Sequence, residues 1–387
     1  MRCTELFDDR DPLAHARAVA ECAPALMAVE EYGLADRLLG AIIAAGQNAN
    51  ALGLLSYCLG AKAELEVWIG RWSSAYANGS EAIDLAREAG QAGQLSYNLA
   101  RLARLEAAQG REDECRAHVA EALELAAGSN FGSTLPFAES GVGLLELGLG
   151  RLDAAVAHFL RTSELCEREG FKGPGRLEWE PDLVEAYVRA GRRDEAEEAI
   201  AHLERRAHAD AAADPERTTH ADGVAHAVRI ARADPNGRSL ASAASMGPER
   251  RWVGSTVALA AACRCRGLLA NEDELDRVFA AARAWHERTT TPFELARTEL
   301  CYGEQLRRHG RRIDARHQLR SALEPFDRLG AVPWARRARV ELAATGETVH
   351  ASRTEPGEQL TGVPQLDLTR VSMGDDSGEL TADRFRR

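Results

Sequence analysis

The sequence predicts an all-α fold, an α-solenoid of antiparallel helix hairpins with a period near 40 residues, and three observations carry that prediction. Gly-Arg pairs recur at Gly70, Gly110, Gly150, Gly191 and Gly310, separated by about forty residues or close to a multiple of forty. A second set of glycines, Gly90, Gly170 and Gly330, falls twenty residues after three of them. The apolar content is mostly Ala and Leu with only 5% aromatic residues, a mix that favours helix because both side chains lose little freedom there.

Each element of the repeat has a local reason. Glycine ends a helix because it enters the left-handed conformation without steric cost. Asp113, Asp153 and Asp194 each stand three residues later, where a short polar side chain can cap the following helix. Small residues sit five positions after the glycine, at Ala75, Cys115, Ala155, Ala196 and Ala315. Others precede it by seven, at Ala63, Ala103, Gly143 and Gly303, with Val184 as the exception. Two helix backbones can approach closely at such positions. Leu85, Leu125 and Leu165 share a register beside Ala86, Ala126 and Cys166, as one buried stripe per second helix requires. One hairpin cannot bury its own apolar face, so neighbours must stack into a curved solenoid whose concave surface suits binding.

Repeats are expected over 1–206 and 251–347. Between them, 207–250 is rich in Ala, Asp, Pro, Gly and Ser and reads as an irregular insertion with one short helix near Val224–Arg232. The low hydrophobicity of 348–387 predicts a disordered tail.

The formal charge of −12 opposes a nucleic-acid-binding role for the whole chain, since such binding exchanges counterions on phosphates for Lys and Arg. Residues 301–345 differ, with ten Arg against five acidic residues, a net +5. Arg311, Arg312 and Arg316 lie at its centre. A solvated helical face is the first reading of this run; an acidic partner, such as a DNA backbone, is the alternative. Eight scattered Cys without framework spacing suggest buried thiols in a reducing compartment. The start lacks an apolar signal core and no apolar run is long enough for a membrane helix, so a cytoplasmic location is expected.

Motifs for chemistry are missing. The two Lys, Lys62 and Lys172, lie outside any Gly-Lys-Ser/Thr sequence, so no P-loop is present. Gly141, Gly143 and Gly148 do not have GxGxxG spacing and read as close helix packing. Cys263 and Cys265 point about 200° apart on a helix and cannot chelate together. His286-Glu287 begins like HExxH, but Thr290 stands where the second His belongs. His220, Asp222 and His226 have no ligand geometry. No catalytic residue, cofactor or metal is therefore assigned. Near 174–183, Pro and Gly break the helix before Trp179, which Glu178 and Glu180 flank. Trp179 packs a hairpin junction on the first reading, and forms a polar-aromatic lip on the concave face on the second.

Residues 51–91, 178–197 and 288–347, the last reading RTTTPFELARTELCYGEQLRRHGRRIDARHQLRSALEPFDRLGAVPWARRARVELAATGE, resemble the helical-repeat (TPR-like) region of LuxR-type large ATP-binding transcriptional regulators. The likeness covers most of 13–347. Such regulators join an N-terminal ATPase, an effector-sensing repeat region and a C-terminal helix-turn-helix. Here the ATPase motif is absent and the helix-turn-helix text is incomplete, with only Leu380-Thr381 at its start. The resemblance implies a non-catalytic regulatory module that binds a small effector or a protein partner on its concave surface. Direct DNA binding by this chain alone and membrane association are not expected, and self-association is open. A truncated regulator fragment without separate activity is the alternative reading, and DNA-backbone binding through 301–345 is a further one.

Overall fold

The computed structural model describes residues 13, 16–127, 134–170, 179–211 and 255–347. These form fifteen helices: α1 (Ala16–Ala28), α2 (Tyr32–Asn48), α3 (Leu52–Trp68), α4 (Trp72–Glu88), α5 (Ala92–Gln109), α6 (Glu112–Ala127), α7 (Leu135–Leu149), α8 (Leu152–Glu169), α9 (Glu180–Arg189), α10 (Arg193–Ala211), α11 (Thr256–Leu269), α12 (Glu272–His286), α13 (Pro292–Arg308), α14 (Arg312–Leu329) and α15 (Val332–Ala344). No strand occurs among the described residues.

The predicted stops are where the helices end. Gly70, Gly110, Gly150, Gly191 and Gly310 all have φ between 75° and 79°, and Gly90, Gly170 and Gly330 are also left-handed. The amide following each Gly-Arg glycine reaches back five residues, as in Arg111 N to Glu106 O at 2.9 Å and Arg151 N to Glu146 O at 2.8 Å, which satisfies a carbonyl the helix leaves open. Two further stops carry no glycine. Glu30 (φ 62°) and Asn50 (φ 51°) take the left-handed conformation, so the twenty-residue rhythm starts forty residues earlier than the glycines reveal.

The proposed caps differ from the prediction. Asp113, Asp153 and Asp194 lie inside the first turns of α6, α8 and α10, two residues past the cap position. The residue at the N-cap of α8 is Arg151, and its side chain makes no cap bond. Negative charge in a first turn still favours the positive end of the helix dipole. Side-chain caps occur instead at Ser255, which accepts from Ala258 N, and at Asn271, which accepts from Glu274 N. Four of the five arginines of the Gly-Arg pairs staple one repeat to another: Arg71 donates to Asp36 at 3.2 Å, Arg151 to Glu112 at 2.6 Å, Arg311 to Asp276 at 2.7 Å, and Arg111 stacks 4.3 Å over the Tyr76 ring, while Arg192 stays within its own hairpin on Glu195 and Tyr187.

The odd-numbered helices touch one another in succession and form an inner layer, and each even-numbered helix packs outside its hairpin partner. Burial follows the layers. From Pro136 to Leu147 nearly every residue of α7 is buried, whereas α6 buries only Cys115, Val119, Ala122 and Ala126. The small residues predicted at the hairpin contacts, Ala75, Cys115, Ala155, Ala196 and Ala315, are all fully buried. A Cβ at Gly143 would lie 2.6 Å from the Phe159 ring, and one at Gly303 2.6 Å from Leu319 Cγ. The stripe on the second helices runs through Ala86, Ala126 and Cys166, with Leu85, Leu125 and Leu165 half-buried at its flank.

The coil turns back on itself. Helix α15 packs on α5 and α7. A Cβ at Gly70 would meet the Pro292 ring at 2.4 Å, and one at Gly110 would meet the Pro333 ring at 2.6 Å. Two prolines that open α13 and α15 thus seat on two glycines one repeat apart. Glu30 accepts from Val257 N and Ser255 Oγ, each at 3.0 Å. The described residues belong to one compact unit. Helix α10 also continues to Ala211, so 207–211 is helical rather than part of an irregular insertion. The remainder of that insertion, its short helix near Val224–Arg232, and the tail 348–387 lie outside the described residues.

Candidate functional site

The inward turn of α13 and α15 fills much of the predicted concave surface with side chains from both ends of the coil. At its centre is a buried ionic network. Arg297 of α13 donates to Asp182 and Glu185 of α9, both at 2.6 Å, and all three side chains are no more than 2% exposed. Arg264 of α11 donates to Glu294 at 2.7 Å, Arg104 of α5 to Asp182 at 3.2 Å, and Arg337 of α15 to Glu304 at 2.8 Å and also to Glu185. Burial alone would raise the Glu294 carboxyl, but the Arg264 and Arg297 charges outweigh it and hold it at about 2. Glu185 is likewise held well below the usual range, against burial, by Arg297 and Arg337.

Beside this network a cleft of about 80 Å³ remains; a single water needs roughly 10–15 Å³. One wall is apolar, built from Val67, Trp68, Trp72, Leu102, Leu105 and Phe293. Trp72 and Phe293 lie 5.0 Å apart between centroids, tilted by 57°. Trp72 donates its indole N–H to Val67 O at 3.0 Å, so its ring offers only an apolar face. Gly60 and Gly79 also line it, where a Cβ would crowd Asn98 and Leu102 of α5.

The polar lining is sparse and mostly committed. Glu64 pairs with Arg101, whose guanidinium also lies 4.9 Å over the Phe137 ring. Asn98 donates to Ser56 Oγ and Ala82 O, each at 3.2 Å, and accepts from Gln94 at 2.8 Å. Thr291 stands out. It occupies the N-cap position of α13 without making a cap bond, is 3% exposed, and its hydroxyl has no hydrogen-bond partner among the described residues.

Of the candidate interaction residues singled out from the sequence, none of the described ones lines this cleft, although the hairpin-contact residues Ala63 and Ala75 do. Trp179 stands at the N-cap position of α9 without making a cap bond and belongs to the main apolar core. Glu180 is buried and lies 3.2 Å from His202; Glu178 lies outside the described residues. Arg311 pairs with Asp276 and Asp314, and Arg316 donates to Thr345 O at 2.7 Å, closing the end of α15. Arg312 is exposed at the start of α14. Eight of the ten arginines in 301–345 form ion pairs with carboxylates: Arg307, Arg308, Arg311, Arg316, Arg320, Arg328, Arg337 and Arg339.

Cys265 is fully buried and Cys263 half-buried, one core and one peripheral residue. Burial pushes the thiols of Cys58, Cys115 and Cys301 up to about 12, far from nucleophilic at neutral pH. Among the described residues no group of three or more His, Cys, Asp or Glu is placed to hold a metal, and no helix is long and apolar enough to cross a membrane.

Sequence reasoning missed the ionic network and the cleft. The charged residues stand in EPDLVEAYVR and PFELARTELC, which read in sequence as ordinary amphipathic helices. Comparison with protein-family models and with curated protein sequences returns no match.

Proposed function

We propose that this chain is a non-catalytic sensor module in which a small effector binds the cleft between the two ends of the coil. The observation that carries this reading is the composition of the cleft. Its walls come from α3, α4 and α5 on one side and from Thr291, Phe293 and Glu294 on the other, more than 180 residues later in the chain. A concave, mostly apolar site with a few placed polar groups is the usual form of a small-molecule site. An occupant would touch both ends at once and favour the closed coil over any opened one, which is the differential contact a sensor needs.

The resemblance of 51–91, 178–197 and 288–347 to the repeat region of LuxR-type regulators supports a role in transcriptional control in the cytoplasm, exerted through a protein partner. The Arg-rich segment gives little support to direct DNA binding, because most of its charge is already paired within the fold.

Thermal unfolding of the purified chain with and without a fractionated metabolite extract tests the proposal, with native mass spectrometry identifying any retained compound. A ligand at one hundred times its Kd raises stability by about 2.7 kcal/mol. An extract in which no fraction shifts the transition and no compound is retained would overturn it.

A further inference from the structure

We propose that the outward face of α15 docks an acidic amphipathic helix of a partner protein. A partner is the one element taken from the sensor reading; the residues that line the cleft all lie outside α15.

Packing is the first observation. The inner helix α13 buries every residue but one from Phe293 to Leu306, and the outer helix α14 closes on it where Gly303 faces Leu319. Helix α15 buries only Trp334, Ala335, Ala338 and Leu342, all on one side. Its opposite side carries Val332, Arg336 and Val340, which follow one another every fourth residue and so stand in one line along the helix. Val332 is 63% exposed and Val340 60%, with Arg336 exposed between them. Pro292 and Pro333 seat on glycines one repeat apart, which sets α13 and α15 in a common register. In that register Ala344 stands where Gly303 stands on α13, and it is exposed. Val340 stands where Glu299 meets Arg283 of the outer helix α12 at 3.1 Å. The bare side of α15 is therefore the side that outer helices cover on α13, and no described helix covers it here. Another helix is the cover that fits.

Charge decides which helix. Ile313, 80% exposed, and Arg312 lie one turn before Arg316, which donates to Thr345 O at 2.7 Å, so they extend the face past the end of α15. Eight of the ten arginines in 301–345 are paired with carboxylates. The other two, Arg312 and Arg336, both belong to this face and form no ion pair among the described residues. A guanidinium set among apolar side chains gains from a carboxylate that the partner brings. A second copy of the chain, packed α15 against α15 in antiparallel fashion, would oppose Arg336 with its own like charge, which costs affinity. Two arginines among valines neutralise too few phosphates to hold a nucleic acid. A helix with apolar residues in one stripe and carboxylates beside it suits both the valines and the arginines.

Two fluorescein-labelled helical peptides of about three heptads test the proposal, both with Leu along one stripe, one with Glu beside it and the other with Lys. Each is titrated with the full chain and followed by anisotropy. We expect the Glu peptide to bind at least about tenfold tighter, the order of one charged hydrogen bond. Arg336→Glu should reverse the order, and Val340→Asp should abolish binding of both. Both sites are exposed, so neither variant should change the circular dichroism spectrum. Sedimentation of the chain alone should show a monomer. A dimer that Val340→Asp dissociates would put a second copy on the face and overturn the proposal. So would absence of binding, equal affinity for the two peptides, or an order that Arg336→Glu leaves unchanged. Failure here leaves the cleft to be tested by the metabolite extract, and failure there leaves this face standing.

Discussion

Arg297 on α13 donates to Asp182 on α9 across 2.6 Å, and each side chain is 1% exposed. The two residues are 115 apart in sequence, and Glu185 and Glu294 complete the arginine's surroundings. The network works as a clasp for the coil: it joins α9 to the inward-turning C-terminal hairpins at a place buried from bulk solvent.

Removing the clasp should be severe. Arg297→Met keeps the volume but leaves Asp182 and Glu185 short of a counter-charge, and breaking a buried pair in this way costs about 3–5 kcal/mol. Arg297→Lys should recover only part of the loss, because one ammonium cannot serve two carboxylates with the geometry of a guanidinium. Urea unfolding of both variants checks the order; a loss below about 1 kcal/mol for Arg297→Met would show that the network is not structural.

Two left-handed glycines should respond differently to the same change. Gly90→Ala places its Cβ in open space and should cost about 1–2 kcal/mol from backbone strain alone. Gly110→Ala has similar strain and also drives a Cβ within 2.6 Å of the Pro333 ring, so overpacking of about 1–3 kcal/mol should add to it. Equal destabilisation of the two in thermal melts would argue against the seating of α15 on the turn after α5.

Asn50 and Glu30 both occupy glycine positions in the rhythm, and only one should improve as glycine. Asn50→Gly relieves a left-handed L-residue and should stabilise by up to about 1 kcal/mol. Glu30→Gly relieves the same strain but removes the carboxylate that accepts from Val257 N and Ser255 Oγ, whose charged hydrogen bonds contribute roughly 1.5–3 kcal/mol. Its melting temperature should fall.

Two histidines should give opposite pH dependence. Burial lowers the His286 imidazole to about 4, with the Arg264 charge adding to the effect. The ring donates from Nε2 to Thr298 Oγ, because Thr298 gives its own hydrogen to Glu294 O. The unfolded chain binds a proton at this group near 6.5, so its contribution is complete above pH 6.5. It is lost as pH falls towards 4, by roughly 3 kcal/mol in all. His286→Gln should flatten stability across that interval. The hydrogen bond to Glu106 raises the His118 imidazole, against the effect of burial. Its contribution is complete below pH 6.5 and disappears as pH rises through the raised value. His118→Gln should therefore lose stability at pH 6 and little at pH 9. Stability curves from pH 4 to pH 9 for both variants would show whether the signs differ.

By itself the sequence determined the repeat: the all-helical class, the stops at Gly70, Gly110, Gly150, Gly191 and Gly310, and the small residues buried inside each hairpin. All of these are local. They depend on which residues tolerate a left-handed turn and on which side chains let two neighbouring helices meet, and both conditions recur at fixed spacing along the chain. The stops at Glu30 and Asn50 escaped because neither is a glycine followed by arginine; Asn50 is of a type that tolerates the left-handed turn, whereas Glu30 is not and is tied there by its bonds to Val257 N and Ser255 Oγ. What only the tertiary structure decided is the long-range closure: Pro292 on Gly70, Pro333 on Gly110, Arg297 between Asp182 and Glu185, and a cleft lined by both α5 and the start of α13. Small rotations accumulate from one hairpin to the next, and only their sum determines whether α15 comes round to meet α5. No local pattern carries that sum, so charged residues that clasp the coil read in sequence as ordinary helix surface.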